Sequence, residues 1–154
     1  MKNLLLFGAL ALCLNSFGQS KMQEIEALQG TADIITNVLK FQLKNLNNSK
    51  ITNREIEALY LKEEDIKLAK SYLRKAKSNV IVGNIATTAT VSISAVGTAL
   101  LWKSFEDGGL LGNLTPLLLI GDAVLIGFGQ FVNIPLKINA KKNIELAKEL
   151  IKID

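Results

Sequence analysis

Residues 80–102, VIVGNIATTATVSISAVGTALLW, and residues 110–136, LLGNLTPLLLIGDAVLIGFGQFVNIPL, decide the fold of this chain. The first holds no charged residue, and the second holds only Asp122. A helix of roughly 20 apolar residues, rising about 1.5 Å per residue, crosses a hydrocarbon core of about 30 Å, and both stretches reach that length. With the short polar loop WKSFEDGGLLGN between them, they predict a two-helix transmembrane hairpin over residues 79–136, with spans at 80–102 and 114–134.

Little else fits in 154 residues: one small polar domain has room, a second globular enzyme does not. Charged residues make up an ordinary 21% of the chain while the mean hydropathy is positive, so the apolar residues are segregated into blocks. There is no histidine, and the one cysteine, Cys13, lies in the N-terminal apolar stretch. These absences exclude Cys/His zinc sites, Ser-His-Asp and Cys-His nucleophilic arrangements and a disulfide framework. The expectation is a protein without catalytic activity, cofactor or metal, although carboxylate chemistry stays formally open.

The first twenty residues, MKNLLLFGALALCLNSFGQS, have one basic residue, an apolar core at 4–14 and a small-x-small ending at Ser16-Phe17-Gly18. That is the layout of a secretory signal peptide over residues 1–18, with Gln19 as the first mature residue; a retained anchor is the alternative. A lipoprotein reading at Cys13 is weaker, because Leu12 before it is not small.

Residues 19–78 form an amphipathic helical segment. Ile25, Leu28, Ala32, Ile35, Leu39 and Leu46 follow spacings of three, four and seven, with Gln42 filling a seam position, as on one face of a coiled-coil helix. Gly30 weakens that helix without ending it. NLNNSK at 45–50 is a turn by composition. Thr52-Asn53-Arg54-Glu55 is a capping box that opens a second amphipathic helix, whose seam is Ile56, Leu59, Ile66, Ala69, Leu73 and Ala76. The acidic cluster Glu63-Glu64-Asp65 suits a helix restart. Without a Pro or Gly break before Gly83, the helix runs directly into the first span. The two helices alone bury too little surface to be stable, so they need a second copy, another envelope protein, or the tail. That tail, residues 137–154, is a short basic amphipathic helix whose lysines can attract anionic lipid, although a solvated face is the commoner meaning of such a run.

Within the first span Gly83, Thr87, Thr90, Ser94 and Thr98 fall on one helical stripe, which suits close approach of another helix. The alternative is that the hydroxyls only bond back to their own helix. The second span opens with Thr115-Pro116, an N-cap and a first-turn proline, and closes near Asn133 and Pro135. Asp122, about 9 Å beyond Pro116 along the axis, lies in the apolar zone, where a charge costs about 2.5–3.5 kcal/mol. Asp122, Gly129 and Asn133 share one face, and equal distances from the turn place Asp122 near Ser94 and Thr98. The leading expectation is a protonated Asp122 hydrogen-bonded to those hydroxyls and fixing the hairpin register. Proton or ion conduction through Asp122 is the alternative.

Orientation is contested. Lys67, Lys70, Arg74, Lys75 and Lys77 before the hairpin, and Lys137, Lys141, Lys142 and Lys148 after it, put both flanks in the cytoplasm, whereas a cleaved signal peptide exports both.

A signal peptide ending Phe-Gly-Gln, the phrase YLRKAKSN, a Gly/Ala/Thr-rich first span and the phrase FVNIPLKINAKKNIELA together resemble uncharacterised two-span envelope proteins of Bacteroidota-type bacteria. The resemblance covers roughly residues 70–145; the thin glycine content of the first span departs from it. It implies location and architecture, and no activity. The sequence thus leads to an all-α integral protein of the bacterial envelope, in the inner membrane after Sec-type export, with a structural or interaction role. Its partners are the lipid bilayer and either itself or another envelope protein. A small conducting oligomer using Asp122 is the second reading. Nucleic acid is disfavoured, since the basic residues lack aromatic company.

Overall fold

A computed structural model describes residues 2–45, 52–106 and 115–152; for 2–17, 101, 102, 104–106, 115–119, 122, 123 and 126 it describes the backbone alone. Among the described residues the chain is all-helical with no strand: α1 is Lys2–Asn45, α2 is Asn53–Glu106 and α3 is Thr115–Ile151. The turn at 46–51 and most of the loop between the apolar stretches lie outside the described residues.

Three long helices therefore stand where a larger number of shorter ones was expected. Capping explains where α2 begins. Glu55 accepts hydrogen bonds from the Thr52 backbone N–H at 2.9 Å and from its hydroxyl at 2.7 Å, while the Glu55 N–H turns to the Thr52 carbonyl. Half of the reciprocal box forms, and the Thr52 N–H holds the Glu55 carboxyl below its usual range. The acidic cluster does not restart the helix, which passes through it with Glu63 paired to Lys67 at 2.9 Å.

Pro135, expected at the exit of the second span, lies inside α3. A proline in a helix interior loses one backbone hydrogen bond and costs about 3 kcal/mol. Packing on both sides of it offsets that cost, since Asn133 and Leu136 both lie against Gly83. The tail is accordingly the last part of α3 and not a separate helix.

By packing, the chain divides into two compact units, Met1–Gln19 with Val80–Lys137, and Ser20–Asn79 with Ile138–Asp154. The second is a water-type three-helix bundle. Ile25, Ala32, Ile35 and Leu39 from α1, Ile66, Ala69, Leu73 and Ala76 from α2, and Ala140, Ile144, Ala147 and Ile151 from α3 are its buried apolar side chains. Steps of three, four and seven keep each set on one face. Each fully buried Leu or Ile contributes about 1.5–3 kcal/mol, and the interspersed alanines let the helices approach. The tail segment thus supplies the third helix that the first two need.

Ion pairs define the directions. Asp33 meets Lys70 at 2.6 Å and Glu26 meets Lys77 at 3.7 Å, so seven residues forward on α1 is seven residues back on α2, and the two run antiparallel. Where α1 ends and α2 begins, no side chain at 53–65 is buried. There Phe41, Gln42, Asn45, Glu55, Ala58, Leu59 and Lys62 line an open groove of about 540 Å³ to which α3 contributes nothing.

Glu24 joins the bundle's edges, 2.6 Å from Lys21 and 2.7 Å from Lys148. Lys148 above all, then Lys21, holds its carboxyl below the ordinary value of 4.5, and Glu24 in turn raises Lys148. A carboxyl depressed on folding stabilises the fold above its unfolded pKa, and that contribution disappears as the pH drops through the folded value. Thermal melts of Glu24→Gln are therefore expected to fall below wild type at neutral pH, with the gap closing as the pH is lowered below the ordinary carboxyl value of 4.5; a gap that widens in acid contradicts the assignment. Gly30 has open space around the position of a Cβ. Gly30→Ala is expected to stabilise the bundle by about 1 kcal/mol, read from chemical or thermal unfolding.

Candidate functional site

In the first unit the distribution of polarity is reversed. Its buried positions, among those whose side chains are described, are Gly18, Val80, Gly83, Thr87, Ser94, Gly129 and Asn133. Its exposed ones include Ile81, Val82, Ile85, Ile93, Val96 and Leu100 on α2, and Ile120, Val124, Phe128 and Phe131 on α3, the last 76% exposed. Among the described side chains, Val80 apart, small and polar residues are inside and large apolar ones are outside.

The inner seam is built from two facing stripes. Asn133 of α3, 1% exposed, donates from Nδ2 to Thr87 Oγ1 of α2 at 2.5 Å, and Thr87 donates in turn to the Gly83 carbonyl at 2.9 Å. Gly83 leaves room for the Asn133 amide, whose oxygen a Cβ at Gly83 would strike. One turn on, Gly129 of α3 lies against Thr90, and a Cβ there would sit 2.5 Å from Thr90 Oγ1. Glycine is needed at both positions for clearance, so that a threonine or asparagine on the facing helix can fill the gap. Moving from Thr87 to Thr90 on α2 moves from Asn133 to Gly129 on α3, so the helices are antiparallel in this unit.

The threonine hydroxyls of the stripe donate to carbonyls of their own helix. Thr90 donates to the Ala86 carbonyl at 2.9 Å, and Thr98 donates to the Ser94 carbonyl at 2.8 Å. Back-bonding and helix contact, which the sequence offered as alternatives, thus occur together. A threonine satisfied in this way presents its methyl group and a lone pair to the neighbour, a surface that can pack without stranding a donor.

Of the residues singled out from sequence, Gly83, Thr87, Thr90 and Gly129 meet across the seam. Ser94 is buried, its Oγ without a partner among the described residues, and Thr98 is half-buried. Asp122 falls on α3, but its side chain lies outside the described residues, so its pairing with Ser94 or Thr98 has no geometry to report. Two further positions belong to the seam. Asn133 shares the face of Asp122 and Gly129 and reads in sequence as an exit marker, while the count from the turn that pairs Asp122 with Ser94 and Thr98 pairs Asn133 with Gly83 and Thr87. Asn84 packs on Gly18 of α1, which has no room for a Cβ; spacing gives no signal for that contact.

Among the described residues no group of three or more Cys, Asp or Glu is placed to hold a metal ion. The seam can hold two helices at close range. Among its described side chains no hydroxyl lies beside a carboxylate or an amine. No family model, no curated protein and no solved structure matches this chain.

Substitution separates the glycines. Gly83→Ala and Gly129→Ala are each expected to lower stability in detergent by about 1–3 kcal/mol through overpacking. Gly121→Ala and Gly127→Ala, where nothing lies within 4 Å of the added carbon, are expected to leave it unchanged or raise it. Equal effects at all four positions contradict the seam.

Proposed function

We propose that this chain is an integral protein of the bacterial envelope, without catalytic activity, that uses a two-helix membrane hairpin to anchor a three-helix bundle for structural or interaction work. The observation that carries the reading is the reversed polarity of the first unit: Thr87, Ser94 and Asn133 buried beneath exposed Ile, Val, Leu and Phe. Water penalises that arrangement by roughly 25 cal/mol for each Å² of apolar surface left exposed, and lipid does not. The α2 region Asn53–Leu100 contains a segment long and apolar enough to span a membrane, with mean hydropathy 1.5 and only 22% of it buried. The core helix of a water-soluble protein with such a segment would be mostly buried. The second span, 114–134, has much of its first half outside the described side chains, so its place beside the first in lipid rests on its composition and on the Asn133–Thr87 contact.

Placement in the inner membrane after Sec-type export follows from the signal-peptide layout of residues 1–18 and from the likeness to two-span envelope proteins. Self-association or a second envelope protein suits the uncovered groove between Phe41 and Leu59. The inward-facing threonines are already bonded to carbonyls, which favours a packed seam over a water-lined path.

Purified full-length protein in planar bilayers separates anchor from conductor. The anchor reading predicts conductance no greater than that of protein-free bilayers, and an Asp122→Asn variant that assembles normally. A current that Asp122→Asn abolishes while assembly persists contradicts it.

A further inference from the structure

We propose that Arg74, Lys75, Lys141 and Lys142 form a collar at the membrane-proximal end of the three-helix bundle that binds the phosphate groups of anionic phospholipids. The proposal rests on the membrane reading above and goes beyond it by naming a lipid class. All four residues are exposed, and all belong to the bundle unit, which α2 leaves at Asn79 and α3 joins at Ile138. Each lies within five residues of one of those two points.

Charge balance distinguishes this end of the bundle from the other. From Ile66 to Phe105 α2 has no carboxylate, and from Ala123 to Ile144 α3 has none; Glu145, a turn beyond Lys141 and Lys142, meets Lys148 at 3.6 Å. The acids that α1 could offer here are engaged, Glu24 with Lys21 and Lys148, and Glu26 with Lys77. None of the four collar residues has an ion-pair partner among the described residues; Lys75 lies over the Tyr72 ring at 5.6 Å, which leaves its charge unneutralised. At the far end Lys40, Lys44, Arg54 and Lys62 are interspersed with Glu55, Glu57, Glu63, Glu64 and Asp65, and no net positive charge accumulates there.

The arrangement selects the ligand. Adjacent helical residues point about 100° apart, so Arg74 with Lys75 on α2, and Lys141 with Lys142 on α3, each present charge in more than one direction from their helix. A globular acidic partner or a nucleic acid would need the charges on one side. A layer of lipid phosphates can meet charges that leave α2 and α3 in several directions near one depth, and each basic residue close to an anionic surface contributes about 1 kcal/mol. The apolar runs beginning at Val80 and ending at Leu136 set that depth.

The test uses the full chain purified in a neutral detergent, with thermal unfolding and native mass spectrometry as readouts. Phosphatidylglycerol is expected to raise the midpoint saturably and to be retained, while phosphatidylcholine and inorganic phosphate do neither. The variant R74Q/K75Q/K141Q/K142Q is expected to bind phosphatidylglycerol at least about tenfold more weakly, and K40Q/K44Q/R54Q/K62Q within about twofold of wild type. Wild-type binding is expected to weaken with added salt, as screening requires, which keeps the proposal testable should the quadruple variant misfold. Equal response to phosphatidylcholine, a matching shift with phosphate alone, salt-independent binding or unaltered affinity in the collar variant each overturns the proposal. So does tighter binding of polyglutamate or of nucleic acid than of the lipid. Failure of the membrane reading is distinguishable, because it shows as loss of the protein from membranes at alkaline pH, whereas the collar alone fails in a chain that stays integrated.

Discussion

Clearance between two helices is the constraint on which the first unit depends. Gly83 and Gly129 carry no side chain where Asn133 and Thr90 must sit, and only that absence brings the Asn133 amide to the Thr87 hydroxyl. In lipid no hydrophobic drive pulls helices together, so association rests on close packing and on hydrogen bonds that cannot be exchanged for water. The buried positions of this unit are glycine, threonine, serine and asparagine in the main, which is the composition such a contact requires.

α2 and α3 are therefore each written in two dialects. In the bundle unit Ile25, Leu73 and Ile144 are fully buried, while Asp33, Glu26, Lys70 and Lys77 form pairs at the surface. In the other unit Phe128 and Phe131 face outward, and among the described side chains Asn133 is the largest that is fully buried. Because α2 passes from one unit to the other, its periodic content changes, from Leu73 and Ala76 to Thr87 and Ser94. Lys75, Lys77, Lys137, Lys141 and Lys142 gather near that change, where the nearest acids along α2 and α3 are Asp65 and Glu145.

Much of this is legible in the chain, because helical periodicity needs only local information. The seam of Ile25, Ala32, Ile35 and Leu39 and that of Ile66, Ala69, Leu73 and Ala76 are sequence patterns before they are a core. So is the run of α2 from the bundle into its apolar segment, since nothing between Thr52 and Gly83 breaks a helix. Pro135 misleads because its local cost is real; what outweighs it, contact of Asn133 and Leu136 with Gly83, comes from a residue distant in sequence. Asn133 misleads for the same reason, as an asparagine beside a proline looks like a helix end until its partner Thr87 is known. The Gly18–Asn84 contact has no counterpart in any periodic pattern. Asp122, the most conspicuous residue in the sequence, lies outside the described side chains, and the seam's geometry is established without it.

The central claim is that the apolar segment of α2 lies in lipid, and alkaline carbonate extraction of membranes from cells expressing the full chain tests it most directly. The account predicts that the protein stays in the membrane pellet and is released only by detergent. Recovery in the aqueous supernatant as a monodisperse particle would contradict it, because the exposed Ile, Val and Phe side chains would then have to be tolerated by water.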